Sequence, residues 1–65
     1  MSLVKELRLK NNLKMSDMAQ LLKISVPNYQ KKEAGKVKFT LVEARAISIK
    51  FNKSIEEIFF ENEVS

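Results

Sequence analysis

Residues 15–34 read MSDMAQLLKISVPNYQKKEA, and this stretch decides the fold. Its first part repeats apolar side chains at the spacing of one helical face: Met15, Met18, Ala19 and Leu22. Its second part opens on Ser25, a residue that suits a helix N-cap, and carries Pro27 in the first turn, where a missing amide hydrogen costs little. Gly35 then favours a left-handed stop. The pattern predicts two helices, at residues 15–22 and 26–34.

The connection between these two helices is very short. Only Lys23, Ile24 and Ser25 separate them, and a connection of that length forces the sharp angle of a helix-turn-helix. Ala19 is small enough to let the helices approach closely, and Tyr29 is placed to pack the second helix on the first. The alternative, which the helical pattern leaves open, is a pair of core helices in a generic bundle.

The rest of the chain also follows a helical pattern, with short helices predicted at residues 3–10, 41–51 and 55–59. Ser2 is a candidate N-cap, and two pairs have the spacing of capping boxes: Thr40 with Glu43, and Ser54 with Glu57. One Gly and one Pro are too few for the turns of an all-β fold. We therefore predict an all-α, compact five-helix domain over residues 1–65, with a short tail at 60–65.

The composition argues against catalysis. The chain has no Cys and no His, so thiolate sites, imidazole metal ligands and the commonest general base are all missing. No pair of carboxylates lies in an evident cleft, and we expect no enzymatic activity, cofactor, metal or small-molecule ligand. No segment is apolar and long enough for a membrane span or a secretory signal, so we expect a cytoplasmic location.

The charge is unevenly distributed along the chain. The formal net charge is +4, but residues 1–38 carry nine Lys and Arg against three acidic residues, whereas residues 39–65 carry three against five. A basic front and an acidic back favour a polyanionic partner on one side of the molecule. The alternative is a surface whose charges only keep the protein in solution.

Several short pieces of sequence, in a fixed order, carry a family resemblance. They are Leu7-Arg8, Asn12-Leu13, Met18-Ala19, Ile24-Ser25, Glu33-Ala34-Gly35 and Ser54-Ile55-Glu56-Glu57-Ile58-Phe59. At this spacing the stretch 7–59 resembles the lambda-repressor-like family, the Cro/CI or xenobiotic-response-element type of helix-turn-helix. The resemblance implies a small transcriptional regulator that binds double-stranded DNA, usually as a two-fold dimer on two half-sites.

Three features depart from the family pattern. Lys23 stands where the turn commonly has Gly, so Lys23 is expected to adopt a left-handed conformation at a cost of about 1 kcal/mol. Met15 stands where a Gln often contacts DNA, so Lys14 is expected to bind the phosphate with its charge instead. Lys32 stands where an apolar residue is common, so its stem is expected to pack while its ammonium reaches outward.

The resemblance implies that the second helix of the motif enters the major groove by its first turn. The base-contacting positions are then Val26, Pro27, Asn28 and Lys31. Asn28 can donate to and accept from adenine, and Lys31 can donate to guanine N7 and O6. Val26 and Pro27 lack such groups and are left to press on thymine methyls or to exclude bases by bulk. The alternatives are helix initiation for Pro27 and a phosphate-bound or solvated ammonium for Lys31.

Phosphate contacts are expected on both sides of this helix, with helix-start amides adding to them. The candidates are Lys14, Ser16, Ser25, Gln30, Lys36, Lys38 and Thr40. Arg8 and Glu33 have a different predicted role. Glu33 lies on the inward face of its helix, where a carboxylate needs a partner, and the matching family residues form an ion pair. We therefore predict that Arg8 and Glu33 tie the first helix to the third and do not contact DNA.

Apolar residues near the C-terminus are candidates for a dimer interface. Phe60 and Val64 lie past the last predicted helix, where they can anchor a second copy or pair as short strands. The alternative is a tail that folds back on its own core. Val42 and Ile49 lie off the main stripe of the fourth helix and are either rim core or a second contact patch.

These patterns together predict a sequence-specific DNA-binding regulator, a repressor of the phage or mobile-element type that works as a homodimer. The alternative function is a protein-interaction module on the same scaffold, such as an antitoxin or an antirepressor partner. The poor base-reading chemistry of Val26 and Pro27 favours that alternative.

Overall fold

A computed structural model describes residues 3–60 and 63–65 and contains five helices in this part of the chain. They are α1 (Val4–Lys10), α2 (Met15–Leu22), α3 (Val26–Glu33), α4 (Leu41–Phe51) and α5 (Ile55–Ile58). The described residues form no strand beyond an isolated bridge, so the predicted all-α fold is confirmed. None of these helices is both long and apolar enough to cross a membrane.

Local hydrogen bonds explain where the helices begin. The Ser25 hydroxyl accepts from the Asn28 amide at 3.3 Å and starts α3. The two predicted capping boxes are confirmed: the hydroxyls of Thr40 and Ser54 each accept from the amide three residues on, and Glu43 and Glu57 accept the amides of those cap residues. The predicted N-cap Ser2 lies outside the described residues. Side-chain chemistry in the sequence therefore determines most helix starts.

Three helix boundaries differ from the predictions by one residue. α1 begins at Val4 instead of Leu3, α3 ends at Glu33, and α5 ends at Ile58. The last difference has a clear reason. Phe59 is extended, with φ −114° and ψ 142°, and its buried ring packs edge-on against the ring of Phe39 with centroids 5.2 Å apart. A tertiary aromatic contact thus replaces the final helical residue.

The core lies between all five helices and includes a residue from the connection before α4. Its buried members are Val4, Leu7, Met18, Ala19, Tyr29, Phe39, Ala44, Ile47, Ile58 and Phe59. The sequence assigned no role to Phe39, which follows a run of charged residues, yet its ring is almost fully buried between those of Tyr29 and Phe59. The buried ring fixes the path of the chain into α4.

The end of the chain folds back on this core. Val64 forms an isolated parallel bridge with Phe39 and is half-buried against the core cluster. The Phe39 amide donates to the Glu63 carbonyl, and the Ser65 amide donates to the Phe39 carbonyl, both at 3.0 Å. The sequence left open either a second copy or the chain's own core as the partner of Val64. In the structure Val64 packs on its own core.

The turn between α2 and α3 depends on a left-handed residue. Lys23 has φ 59° and ψ 41°, as predicted for the position where the family commonly has Gly. This conformation lets the Ile24 amide donate to the Ala19 carbonyl at 3.0 Å, which closes the end of α2. A lysine at this angle is strained because its Cβ approaches the following carbonyl oxygen.

Lys23→Gly is expected to raise the free energy of unfolding by about 0.5–1 kcal/mol, because glycine adopts this conformation without a Cβ clash. Urea denaturation of both proteins measures the difference. Asn52→Gly is the matched control, since Asn52 also ends a helix in the left-handed region, with φ 54°. Asparagine tolerates that region, so its gain should be smaller. Equal gains at both positions would show that the lysine side chain causes no special strain.

Candidate nucleic-acid interface

The inner face of α3 is fixed against the rest of the molecule. Ala19 on α2 is buried in the core, Ile24 packs against the core from the turn, and Tyr29 is fully buried. These contacts hold α3 across α2 in the arrangement that the short connection predicts. They leave the opposite face of α3 and its first turn uncovered.

The four predicted base-contacting residues all lie on this uncovered surface. Val26, Pro27, Asn28 and Lys31 are each exposed. In the described part of the chain, neither the Asn28 nor the Lys31 side chain makes a hydrogen bond or an ion pair. Their polar groups are therefore available to an external partner.

Arg8 and Glu33 form a bidentate ion pair between α1 and α3. Arg8 Nε donates to Glu33 Oε2 at 2.8 Å and Arg8 Nη2 donates to Glu33 Oε1 at 3.1 Å. The side chains are only 8% and 4% exposed. Arg8 Nη1 also donates to the Leu13 carbonyl at 3.0 Å, and the Tyr29 hydroxyl donates to Glu33 Oε2. The pair thus lies in the interior, away from the exposed face of α3.

The same cluster shifts the pKa of Arg8 and the pKa of Tyr29. The hydrogen bond to Glu33 is the main cause that raises the pKa of Arg8, which keeps the guanidinium charged. Burial, followed by the hydrogen bond to Glu33, raises the pKa of the Tyr29 hydroxyl. Tyr29 therefore stays neutral and serves as a hydrogen-bond donor, and the cluster carries one buried positive and one buried negative charge.

The seven predicted phosphate contacts are all exposed, and all except Gln30, which lies within α3, occupy helix starts or one loop. They are Lys14, Ser16, Ser25, Gln30, Lys36, Lys38 and Thr40. Three of the five helices, α2, α3 and α4, begin at or next to one of them. Helix starts present unpaired amides and a partial positive charge, so each of these places favours an anion.

The loop 36–38 is tied directly to α3. The amides of Lys36 and Val37 both donate to the Lys31 carbonyl, at 2.9 and 3.3 Å. The structure therefore places the loop that carries two candidate phosphate contacts, Lys36 and Lys38, beside the candidate base contact Lys31. By contrast, no hydrogen bond or ion pair between described residues joins Lys14 or Ser16 to this loop.

A family model described as Helix-turn-helix (HTH_3) matches residues 4–58, which is most of the chain. The chain belongs to the helix-turn-helix family of the Cro/CI type. This membership confirms the resemblance drawn from the sequence and makes the protein a DNA-binding regulator of a generally non-enzymatic family. No curated protein and no solved structure matches the chain. Residues 59–65 lie beyond the family match.

The helix-turn-helix domain contains a second partly buried ion pair, which the sequence did not predict. Lys32 Nζ lies 2.7 Å from Glu43 Oε1, with side chains only 12% and 11% exposed, and it also donates to the Lys38 carbonyl at 3.2 Å. The expectation that the Lys32 ammonium reaches outward is therefore wrong. The Glu43 carboxylate accepts a hydrogen bond from the Thr40 amide at the start of α4 and a second one from the Lys32 ammonium. One polar cluster therefore joins α3, the loop 36–38 and α4.

The surroundings of Glu43 lower its pKa. Burial alone acts to raise that pKa, but the hydrogen bonds from Lys32 and from the Thr40 amide outweigh it. A carboxyl group whose pKa is lower in the folded than in the unfolded chain stabilises the fold above its ordinary pKa. This contribution is lost as the pH falls through the lowered value, because the unfolded chain binds more protons there.

Glu43→Gln is therefore expected to flatten the acid side of the stability profile of this helix-turn-helix protein. The measurement is the melting temperature of both proteins from pH 7 down to about pH 3, a range that includes the ordinary pKa of Glu. Glu56→Gln is the matched control, because Glu56 is exposed in the first turn of α5. An unchanged acid limb in Glu43→Gln would contradict the role of this pair.

The candidate dimer residues of the helix-turn-helix protein differ in exposure. Phe60 is 60% exposed, whereas Val64 is half-buried against its own core. Val42 and Ile49 on α4 are 77% and 74% exposed, so they are not rim core. Among the candidate dimer residues, Phe60, Val42 and Ile49 therefore offer free apolar surface, whereas Val64 is occupied within the monomer.

Proposed function

We propose that this protein binds a short duplex site in a sequence-specific manner, with α3 in the major groove, and represses transcription there. The observation that carries the proposal is the division of α3 into two faces. Tyr29 and Glu33 hold its inner face, while Asn28 and Lys31 project from the opposite side with unpaired polar groups. A rigid helix with free donors on its outer face suits the reading of base edges.

The chemistry of these residues suggests which bases they read. The Asn28 amide can form a paired contact with adenine N6 and N7, and Lys31 can donate to guanine. Val26 and Pro27 offer only apolar surface, which suits thymine methyls. Arg8 and Glu33 are excluded from base reading because both side chains are nearly fully buried.

The phosphate contacts give the proposal its electrostatic part. The exposed candidates at the starts of α2, α3 and α4 and in the loop 36–38 would bracket the groove and fix the orientation of α3. The three lysines among them, Lys14, Lys36 and Lys38, belong to the basic part of the sequence, residues 1–38. A repressor of the phage or mobile-element type needs no further machinery, because occupancy of a promoter site is enough to exclude a polymerase.

We propose that two copies bind together on two half-sites about one DNA turn apart. Phe60 and the exposed face of α4 supply the free apolar surface for this contact, and Val64 does not. Phe60→Ser is expected to lower the cooperativity of binding to a two-half-site duplex while leaving binding to a single half-site unchanged. Gel-shift titrations on the two duplexes measure this, and equal effects on both would exclude Phe60 from the interface.

The test of the proposed function is selection of bound sequences from a random duplex pool. We expect an enriched half-site and, with six to eight phosphate contacts, a slope of log K against log [salt] of about −5 to −7 per bound unit. Lys36→Ala/Lys38→Ala should make this slope shallower, whereas Lys50→Ala, an exposed lysine near the end of α4, should leave it unchanged. A pool with no enriched sequence at physiological salt would overturn sequence-specific binding.

The second candidate function is protein interaction on the same scaffold, as in an antitoxin or an antirepressor partner. One observation favours it: Leu3, Val37 and Phe60 are exposed apolar residues that border one groove of about 880 Å³. Lys5, Lys36 and Lys38 also line this groove. It would become the main hypothesis if the pool selection failed while the folded protein formed a stoichiometric complex with a partner protein.

A further inference from the structure

The C-terminal tail, residues 63–65, lies beyond the family match and packs back against the domain. Glu63 and Ser65 form backbone hydrogen bonds to the two sides of Phe39, both at 3.0 Å. Between them, Val64 packs into the core. The tail thus fixes both backbone polar groups of one residue.

Phe39 occupies a decisive position in the candidate interface. Its neighbours in sequence are Lys38 and Thr40, and both are candidate phosphate contacts. The ring of Phe39 is buried between the rings of Tyr29 and Phe59, so the side chain cannot move without disturbing the core. Whatever holds the backbone of Phe39 therefore sets the direction in which the chain leaves Lys38 and enters α4.

The loop before Phe39 is also anchored to α3. The amides of Lys36 and Val37 donate to the Lys31 carbonyl, and the Lys32 ammonium donates to the Lys38 carbonyl. The tail supplies the complementary anchor at Phe39. With both ends held, the loop 36–38 needs little ordering when it meets a phosphate.

We infer that the tail 63–65 is a positioning element for DNA binding, which holds Lys36 and Lys38 in the orientation that a phosphate requires. The inference rests on the proposed function, in which these lysines contact the DNA backbone. The physical reason is preorganisation: a loop that must be ordered on binding loses affinity to conformational entropy, and a loop ordered beforehand does not.

Ser65→Pro tests this with little damage to the fold. Proline removes the amide hydrogen that donates to the Phe39 carbonyl and leaves the Val64 side chain unchanged. Ser65→Ala is the matched control, because it keeps the amide. We expect Ser65→Pro to weaken DNA binding about threefold to tenfold, the worth of one hydrogen bond. Ser65→Ala should bind like the parent protein.

A double-mutant cycle separates positioning from a general effect on stability. In a Lys36→Ala/Lys38→Ala background, Ser65→Pro should have no further effect on DNA affinity, because the residues that it positions are gone. The inference would be overturned if the combined variant lost affinity by the product of the two separate fold-losses. It would also be overturned if the Ser65→Pro protein bound DNA as tightly as Ser65→Ala. Melting temperatures confirm that each variant is folded at the assay temperature.

Two further results keep the inference distinguishable from the proposed function. If Lys36→Ala/Lys38→Ala binds DNA like the parent protein, the phosphate role of the lysines fails, and the inference fails with it. If that variant binds weakly while Ser65→Pro does not, only the inference fails. Val64→Ala with Val64→Ile provides a second pair, in which the isoleucine variant should restore both the affinity and the salt slope that the alanine variant loses.

Discussion

Replacing Glu33 with alanine is expected to lower the free energy of unfolding by about 3–5 kcal/mol. The substitution leaves the Arg8 guanidinium in an interior position without its carboxylate, and it removes the acceptor of the Tyr29 hydroxyl. A buried charge without a partner costs much more free energy than the ion pair contributes, because neither the Arg8 guanidinium nor the Tyr29 hydroxyl can regain its hydrogen bonds to water inside the protein. Because a domain of 65 residues has little stability in reserve, much of the variant protein should be unfolded at 37 °C.

Chemical denaturation measures this effect, and two variants control it. Glu6→Ala removes an exposed carboxylate from α1 and should change the stability by less than about 0.5 kcal/mol. Arg8→Met/Glu33→Met replaces both charges and should recover part of the loss, because no buried charge remains, although the Tyr29 hydroxyl still lacks its acceptor. A loss below 1 kcal/mol for Glu33→Ala would contradict a structural role for the pair.

The helices themselves were predictable from local sequence. Thr40 and Ser54 begin α4 and α5 through hydrogen bonds to residues only three positions away. Such signals act within one turn of chain, and sequence shows them directly. The family resemblance added the partner of Glu33, which lies 25 residues away.

The features that were not predictable all depend on contacts between distant elements. Phe39 follows charged residues in a connection, and only the folded chain shows that its ring closes the core. Lys32 and Glu43 lie 11 residues apart on different helices, so no helical periodicity relates them. The α5 boundary moved for the same reason, since Phe59 leaves the helix to contact Phe39.

The candidate interface shows the same division. Its outer residues, such as Asn28 and Lys31, were found because a helix-turn-helix leaves a known face uncovered, and each is exposed in the structure. The contacts that hold the neighbouring loop in place are not predictable from the sequence. The loop 36–38 is held by the Lys31 carbonyl, the Lys32 ammonium and the backbone of the tail through Phe39, and none of these contacts has a sequence signature.

Lys31→Ala is expected to weaken binding to the selected site by about tenfold to a hundredfold, because one good base contact contributes about 1–3 kcal/mol of discrimination. The affinity for unrelated duplex DNA should fall only slightly, because Lys31 supplies only one positive charge and the six to eight phosphate contacts remain. The ratio of specific to non-specific affinity should therefore fall. Competition gel shifts at fixed salt measure both affinities, which is necessary because each depends on ionic strength.

Lys36→Ala is the matched control for this prediction, since it removes the same charge from an exposed position next to α3. As a phosphate contact, Lys36 should contribute equally to specific and non-specific binding, so its loss should leave the ratio unchanged and make the salt slope shallower by about 1. Equal losses on both duplexes for Lys31→Ala would make Lys31 another phosphate contact. Asn28 would then be the remaining polar base reader, and Asn28→Ala should carry the loss of specificity.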